Sequence, residues 1–345
     1  MHGQDGIGKG TAALRVHGGR VDLAASLYPS ASKPWIDLST GINPVPWPVG
    51  QIPLARYQRL PLASEIAELT QAAAAAYGIP ANAGMLPVPG SEMAIRLLPR
   101  MIGTDPVGIL APTYGSHAQA WRDAGAEVHE LAGLPDPDRE ACKTLIVVNP
   151  NNPDGRVIAR AELAAFALKW TAGGRRLIVD EAFADVQPEL SMLSLPELPV
   201  GTIVLRSLGK FFGLAGLRVG FVVATEPDAT AWRQLLGDWP VSGPACEIAT
   251  AALRDTNWIA ATRSRLAADR KRLDGVLGNA GLKLLGGTDL FGLFEASGGI
   301  DLLDHFARAG ILLRGFADAS RRYRFGLPAD EAAWRRLEAA CAKLA

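Results

Sequence analysis

The sequence predicts an α/β protein: a large domain with a mostly parallel, seven-stranded sheet, followed by a smaller α+β domain. Three observations predict this. Near-continuous Val/Ile/Leu runs alternate with helical segments, the pattern of strands buried on both faces. After Trp239-Pro240 the chain changes character and becomes rich in Ala and Arg over a long helical stretch. Its 345 residues, 48% hydrophobic and 20% charged, suffice for a large core and a second, smaller one, and exclude a disordered chain.

Residues 1–48 read as an arm that packs with the small domain, residues 49–240 as the large domain and residues 241–345 as the small one. Near the start, GQDGIGKG (Gly3 to Gly10) approaches a phosphate-binding P-loop. Gly10 stands where that motif needs Ser or Thr, and no strand precedes it, so the stretch reads as a tail. The arm mixes a short helical pattern with loop signals and ends in the Pro-rich INPVPWPVG. Ala63 to Tyr77 is a helix by composition, and Gly78-Ile79-Pro80 ends it. Strands follow at Met85–Val88, Val107–Leu110, Glu127–Leu131, Leu145–Val148, Leu177–Val179, Thr202–Leu205 and Val219–Val223. Helices fit between them at Ser91–Met101, Ser116–Ala124 and Arg160–Thr171. A helical segment from about Pro244 to Gly278 opens the small domain, and a helix from Glu331 to Leu344 closes the chain.

Lys plus Arg equals Asp plus Glu at 35 each, and no basic stripe stands out, which argues against binding nucleic acid or an anionic membrane. Cys142, Cys246 and Cys341 are odd in number, far apart and without metal-ligand spacing. They read as reduced, structural thiols, with no metal expected, in a cytoplasmic protein. The N-terminal residues lack the apolar core of a signal peptide, and no apolar run reaches the length of a membrane span.

In an open parallel sheet, ligands bind at the carboxyl ends of the strands. Five candidate strands here are each followed by chemistry: Gly90-Ser91-Glu92, Thr113-Tyr114, Asn149-Pro-Asn-Asn152-Pro-Asp-Gly155, Asp180-Glu-Ala-Phe183, and Ser207-Leu-Gly-Lys210. Each has a bland alternative as a turn, a cap or a solvated side chain. Together they meet one demand. A helix N-terminus with hydroxyls and a cation holds a phosphate. A flat aromatic stacks on a flat ring, and a buried carboxylate keeps a ring nitrogen protonated. An Asn amide donates to a phenolic oxygen. A desolvated lysine is a nucleophile toward an aldehyde. Phosphate, ring nitrogen, phenolic oxygen and aldehyde on one flat molecule describe pyridoxal 5′-phosphate.

With SLGKFFGLAGLRVGF around Lys210 and Arg218, and with NPNNPDG and DEAF upstream, the sequence resembles the class I/II aminotransferase superfamily of fold type I pyridoxal-phosphate enzymes. The resemblance runs from about His17 to Leu344 and implies the aminotransferase-like fold type I. It implies that Lys210 forms the Schiff base with the cofactor and later moves protons, that Asp180 pairs with the ring nitrogen, and that Asn152 binds the phenolic oxygen. It implies that Tyr114 stacks on the ring and that Gly90, Ser91, Ser207 and Arg218 hold the phosphate. Tyr57, in ARYQRLP, matches a tyrosine that reaches the neighbouring subunit's phosphate, which implies a homodimer with shared sites. Arg324, in YRFGLP, matches the arginine that grips a substrate carboxylate. Two positions depart from the pattern. Phe183 stands where aminotransferases usually have Tyr, which removes a donor worth about 1 kcal/mol from the phenolic oxygen. Gly209 stands where relatives often have Ser.

His17-Gly18-Gly19 and Ile36-Asp-Leu-Ser39-Thr-Gly-Ile-Asn43-Pro, with DEAF and RFGLP, resemble the L-threonine-O-3-phosphate decarboxylases of cobalamin biosynthesis. That resemblance implies L-threonine O-3-phosphate as substrate and CO2 with (R)-1-amino-2-propanol O-2-phosphate as products. Orientation separates the two chemistries, because only the Cα bond perpendicular to the cofactor ring overlaps its π-system. A decarboxylase must turn the carboxylate out of the ring plane, and anchoring the substrate phosphate elsewhere could impose that turn. His17, Ser39 and Asn43 are candidate anchors, with Arg314 and Arg324 as cations for carboxylate or phosphate. A histidinol-phosphate-like aminotransferase is the alternative enzyme. A ligand-sensing regulator would need a fused basic DNA-binding domain, and an inactive scaffold would lack Lys210 or Asp180.

Overall fold

The computed structural model describes residues 11–344, so the P-loop-like stretch Gly3 to Gly10 lies outside the described residues. The described residues form two compact units. One is Pro46–Ala260; the other joins the residues up to Val45 with those from Ala261 onward.

The larger unit is built on seven strands: β2 (Ala83–Val88), β3 (Val107–Leu110), β4 (Val128–Leu131), β5 (Thr144–Val148), β6 (Arg176–Asp180), β7 (Thr202–Ser207) and β8 (Gly220–Thr225); β1 belongs to the smaller unit. Their order across the sheet is β2-β8-β7-β6-β5-β3-β4. Neighbours from β7 to β4 pair in parallel, whereas β8 runs antiparallel to both β2 and β7. All seven predicted strands form, and they are buried as the apolar runs require: β3, β5, β7 and β8 are buried at every residue. One face carries Val88, Ile109, Ile146, Ile178, Ile203, Leu205 and Val222, packed with Ile95, Leu98, Trp121 and Trp232 of the covering helices.

The Pro244–Gly278 segment is two helices, Gly243–Arg254 and Thr256–Asn279. Asp255 separates them with non-helical angles (φ −84°, ψ 76°). Its carboxylate accepts the Trp258 amide at 3.0 Å and the Trp47 indole N–H at 3.1 Å. The Ala- and Arg-rich composition on both sides masks the break; the Asp255 carboxylate capping the second helix supplies it.

In the smaller unit the strands are β1 (Ile36–Asp37), β9 (Lys283–Thr288), β10 (Phe291–Glu295), β11 (Ile311–Leu312), β12 (Arg314–Gly315) and β13 (Arg322–Gly326). β12-β13-β10-β9 form an antiparallel sheet, and β1 of the arm pairs in parallel with β11. Leu14, Ala24, Tyr28 and Ala31 of the arm bury against Ala307 and Leu312. The Tyr28 hydroxyl donates to Asp304 at 2.9 Å. No helix among the described residues is long and apolar enough to cross a membrane.

The tightest backbone approach in the large sheet is at Gly220, the first residue of β8. A Cβ there would lie 2.7 Å from the Ser91 amide nitrogen and 2.8 Å from the Arg206 carbonyl oxygen. Gly220→Ala is therefore expected to destabilise the protein by about 1–3 kcal/mol through overpacking. Gly275→Ala, in the helix Thr256–Asn279 with nothing within 4 Å of its added Cβ, is expected to stabilise by about 0.5–1 kcal/mol. Urea unfolding midpoints of the two variants test the contrast; equal shifts would contradict it.

Candidate active site

Ladder register brings the chemical groups of the larger unit to one edge. Val88 lies opposite Gly220, Gly220 opposite Ser207, Leu205 opposite Asp180, and Asp180 opposite Val148. Because β8 is reversed, its first residues, not its last, sit at this edge, and Arg218 arrives there from the other direction. The helix Ser91–Ile102 starts at the same edge, directly after β2.

Gly90 is the N-cap of that helix, with φ +83°, and a Cβ on it would come within 2.7 Å of the Arg218 guanidinium. The absent side chain lets Arg218 lie against the helix N-terminus. Arg218 is itself left-handed (φ +55°), the only non-glycine so among the described residues, and its Nη1 donates to the Ala215 carbonyl at 3.2 Å. Such a conformation costs about 1–3 kcal/mol and persists where surrounding structure imposes it. Ser91 opens the helix and Ser207 is buried at the end of β7. Helix amides, two hydroxyls and a guanidinium thus converge, a set suited to a phosphate dianion.

Asp180, 3% exposed, ends β6. Its Oδ2 is 2.9 Å from His117 Nε2, and its Oδ1 accepts the Ala182 amide at 3.0 Å. His117 is fully buried, on the helix Gly115–Asp123, and its Nδ1 has no hydrogen-bond partner among the described residues. Tyr114 is the N-cap of that helix, and its ring meets the His117 ring edge-on, centroids 6.2 Å apart. The Tyr114 hydroxyl donates to Glu92 Oε2 at 3.0 Å. Burial pushes the Tyr114 phenol up; Ser116 pulls the other way and the Glu92 carboxylate adds to the rise. The phenol therefore stays a neutral donor, and its ring is fixed at both ends.

Lys210 follows β7 in a short turn, its Nζ 5.7 Å from the centroid of the buried Phe183 ring. The next residues anchor that turn: Phe211 and Phe212 pack on Trp258, Phe212 stacked at 5.7 Å. Gly209 has a structural reason to lack a side chain, since a Cβ would lie 3.0 Å from Ala215 Cα. The NPNNPDG turn is braced from within. Asn149 exchanges two bonds with the Ile158 backbone, and Asn151 donates to the Pro112 carbonyl and to Asp154. Asn152 is half-buried beside them. Tyr57, on the short helix Ala55–Gln58, is 63% exposed.

The other sequence-singled residues belong to the smaller unit. Arg324 is 6% exposed, donates to the Ser39 carbonyl at 2.7 Å and lies 4.9 Å from the Phe291 ring centroid. Arg314 donates to the Arg15 carbonyl at 2.6 Å. Ser39 is fully buried; its hydroxyl donates to Asp37 and accepts the Gly19 amide. A Cβ on Gly18 would lie 2.5 Å from the Ser39 carbonyl oxygen, and one on Gly326 2.7 Å from the Thr40 carbonyl oxygen. HGG, DLSTG and RFGLP are therefore one packed assembly. Asn43, also buried, accepts from the Val45 amide and from Arg265. His17 is exposed.

Sequence reading passed over His117 and the role of Glu92. A signal for His117 was present: it lies three residues after Tyr114 at the start of a helix, and so on the same face. The donor set at the strand edge fits pyridoxal phosphate: a phosphate cradle that a Cβ at Gly90 or Gly220 would fill, an anchored carboxylate, an aromatic ring and a lysine. His117→Phe removes the charge-assisted partner of Asp180, worth about 1.5–3 kcal/mol. It is expected to weaken pyridoxal-phosphate binding about tenfold or more, measured by fluorescence titration of the apoprotein. Unchanged affinity would mean that His117 does not support Asp180.

The chain matches the family model described as aminotransferase class I and II over residues 54–295. It is 44% identical to a threonine-phosphate decarboxylase of Pseudomonas aeruginosa, over 94% of this chain and 96% of that one. A threonine-phosphate decarboxylase of Sinorhizobium sp is 43% identical, over 95% and 98%. Among solved structures, a histidinol-phosphate aminotransferase of Sinorhizobium meliloti in complex with pyridoxal-5′-phosphate superposes with a TM-score of 0.77, covering 94% of this chain and 93% of that one at 22% identity. At that identity the superposition speaks to the fold alone. Since the model covers more than half of the sequence and two relatives align with nearly all of it, this chain belongs to the aminotransferase class I and II family.

Proposed function

We propose that the protein is a pyridoxal-phosphate-dependent carboxy-lyase. It converts L-threonine O-3-phosphate to (R)-1-amino-2-propanol O-2-phosphate and CO2, in cobalamin biosynthesis. The observation that carries this is the end-to-end likeness to threonine-phosphate decarboxylases at 43–44% identity. The strand-edge geometry supports the cofactor.

Bound pyridoxal phosphate would supply the electron sink for the pair left when a Cα bond breaks. Lys210 would be its covalent anchor. Asp180, braced by His117, would pair with the ring nitrogen and keep it protonated. Tyr114, tied to Glu92, would stack on the ring, and Asn152 would donate to the phenolic oxygen. Gly90, Ser91, Ser207 and Arg218 would take the phosphate. Loss of CO2 leaves Cα one proton short, and the Lys210 Nζ is the group to deliver it. Arg324 and Arg314 are the cations for the substrate's carboxylate or phosphate, with His17 as a third anchor; Ser39 and Asn43 support them from the buried assembly. Tyr57, exposed here, meets the cofactor phosphate of a second copy, so the working form is a homodimer. The protein works in the cytoplasm.

Lys210→Ala is expected to abolish the visible absorbance of covalently held cofactor, and a retained band in that variant would refute the anchor. Phe183→Tyr adds the hydroxyl that aminotransferases usually carry at this position. It is expected to shift the pH at which the bound cofactor's visible band changes; no shift would remove residue 183 from the phenolic oxygen. For the reaction itself, cofactor-loaded protein is incubated with L-threonine O-3-phosphate without an oxo acid. Catalytic CO2 release with aminopropanol phosphate is the expected result. No turnover, with pyridoxamine phosphate formed from histidinol phosphate, would instead establish the aminotransferase.

A further inference from the structure

Behind the strand edge lies a buried charge cluster that the proposed chemistry does not use. Arg206 is 2% exposed and sits on β7 immediately before Ser207. Its Nη1 donates to Glu181 Oε2 at 3.1 Å and its Nη2 lies 3.0 Å from Asp185 Oδ1. Its guanidinium covers the Tyr77 ring at 4.2 Å. Glu181, fully buried, follows Asp180 directly, and its carboxylate also accepts the Ser191 hydroxyl at 2.5 Å and the Met192 amide at 2.7 Å. Burial works against the Arg206 charge, but Asp185 and Glu181 outweigh it and keep the guanidinium protonated.

Strand geometry gives this cluster a meaning. Side chains alternate between faces, and Asp180 pairs with Leu205. Asp180 and Ser207 therefore share one face, and Glu181 and Arg206 the other. The ladder between β6 and β7 ends with the Glu181 amide on the Leu205 carbonyl at 2.9 Å. Past that bond, the Arg206 fork is the cross-strand tie that holds the two strand ends at a fixed separation. A buried ion pair is often no more stabilising than an apolar pair of equal volume, so stability alone does not account for it. What a planar, two-pronged fork adds is fixed geometry.

We propose that Arg206, with Glu181 and Asp185, is a positioning residue for the cofactor site: it sets Asp180 relative to the Ser207–Lys210 turn from the opposite face of the sheet. This rests on the reading that the larger unit binds pyridoxal phosphate. The test is the charge-free triple variant Arg206→Met/Glu181→Gln/Asp185→Asn, which leaves no buried charge unpaired. Three quantities are read: apoprotein melting, the pyridoxal-phosphate Kd, and the pH midpoint of the bound cofactor's visible band. The expected result is a Kd raised about tenfold or more, the scale of one charge-assisted hydrogen bond. The band midpoint should move as well, with Arg206→Lys intermediate in both. A changed melting temperature with Kd and midpoint both unchanged would overturn the proposal, because a merely structural cluster would act that way. If the triple variant does not fold, Glu181→Gln, which keeps an oxygen for Met192, is read against the same two outcomes. Failure of the wild-type protein to bind pyridoxal phosphate would refute the cofactor reading, and is seen before any variant is compared.

Discussion

β8 runs against both of its neighbours, so its first residue lies beside the last residues of β2 and β7. The phosphate-binding end of the candidate site depends on this reversal. A strand running parallel to its neighbours in that position would present Thr225 at the edge and send Arg218 to the far side. Reversal instead brings Arg218 against Gly90 and the start of the helix Ser91–Ile102. The approach is close enough that neither Gly90 nor Gly220 has room for a Cβ. The left-handed backbone at Arg218 follows from the same constraint: the chain must turn from the Lys210 loop into an antiparallel strand within a few residues. Local strain, two glycines and one cation are thus parts of a single packing solution.

Buried charge is distributed over both faces of the sheet in the same few residues. On one face Asp180 meets His117; on the other Glu181 meets Arg206. Each carboxylate accepts more than one hydrogen bond, as a buried charge must. Adjacent residues with opposed faces make β6 a rigid spacer between a polar site and a polar support. An apolar sequence would bury the same strand end more cheaply but would leave its last residue unrestrained beyond the ladder.

The sheet was readable from sequence because its signal is strong and local. Buried parallel strands need uninterrupted apolar runs, and all seven runs become strands. The strand-end chemistry was readable for a related reason, since Gly90, Asp180 and Lys210 each lie within five residues after such a run. What composition could not supply was anything fixed by a partner distant in sequence. The Asp255 carboxylate at the helix break is held by the indole of Trp47, 208 residues away. The closeness of HGG, DLSTG and RFGLP depends on chain segments about three hundred residues apart packing without side chains at Gly18 and Gly326. His117 reads as an ordinary helical residue until β6 places a carboxylate 2.9 Å away.

Phe183 bears on which bond at Cα breaks. Its ring lies 5.7 Å from the Lys210 Nζ, and a tyrosine would add a hydroxyl at the ring edge. An aromatic face attracts a cation without accepting or donating a localised hydrogen bond. With no hydroxyl on residue 183, the proposed donor to the phenolic oxygen of a bound cofactor would be Asn152. Each half of a transamination needs two proton transfers, one off Cα and one onto the far end of the conjugated system, whereas decarboxylation needs one, onto Cα in place of CO2. With Phe in place of Tyr, residue 183 carries no proton of its own, which suits the second demand better than the first. In the smaller unit the buried Arg324 is fixed to Ser39 and held over Phe291, a rigid cation.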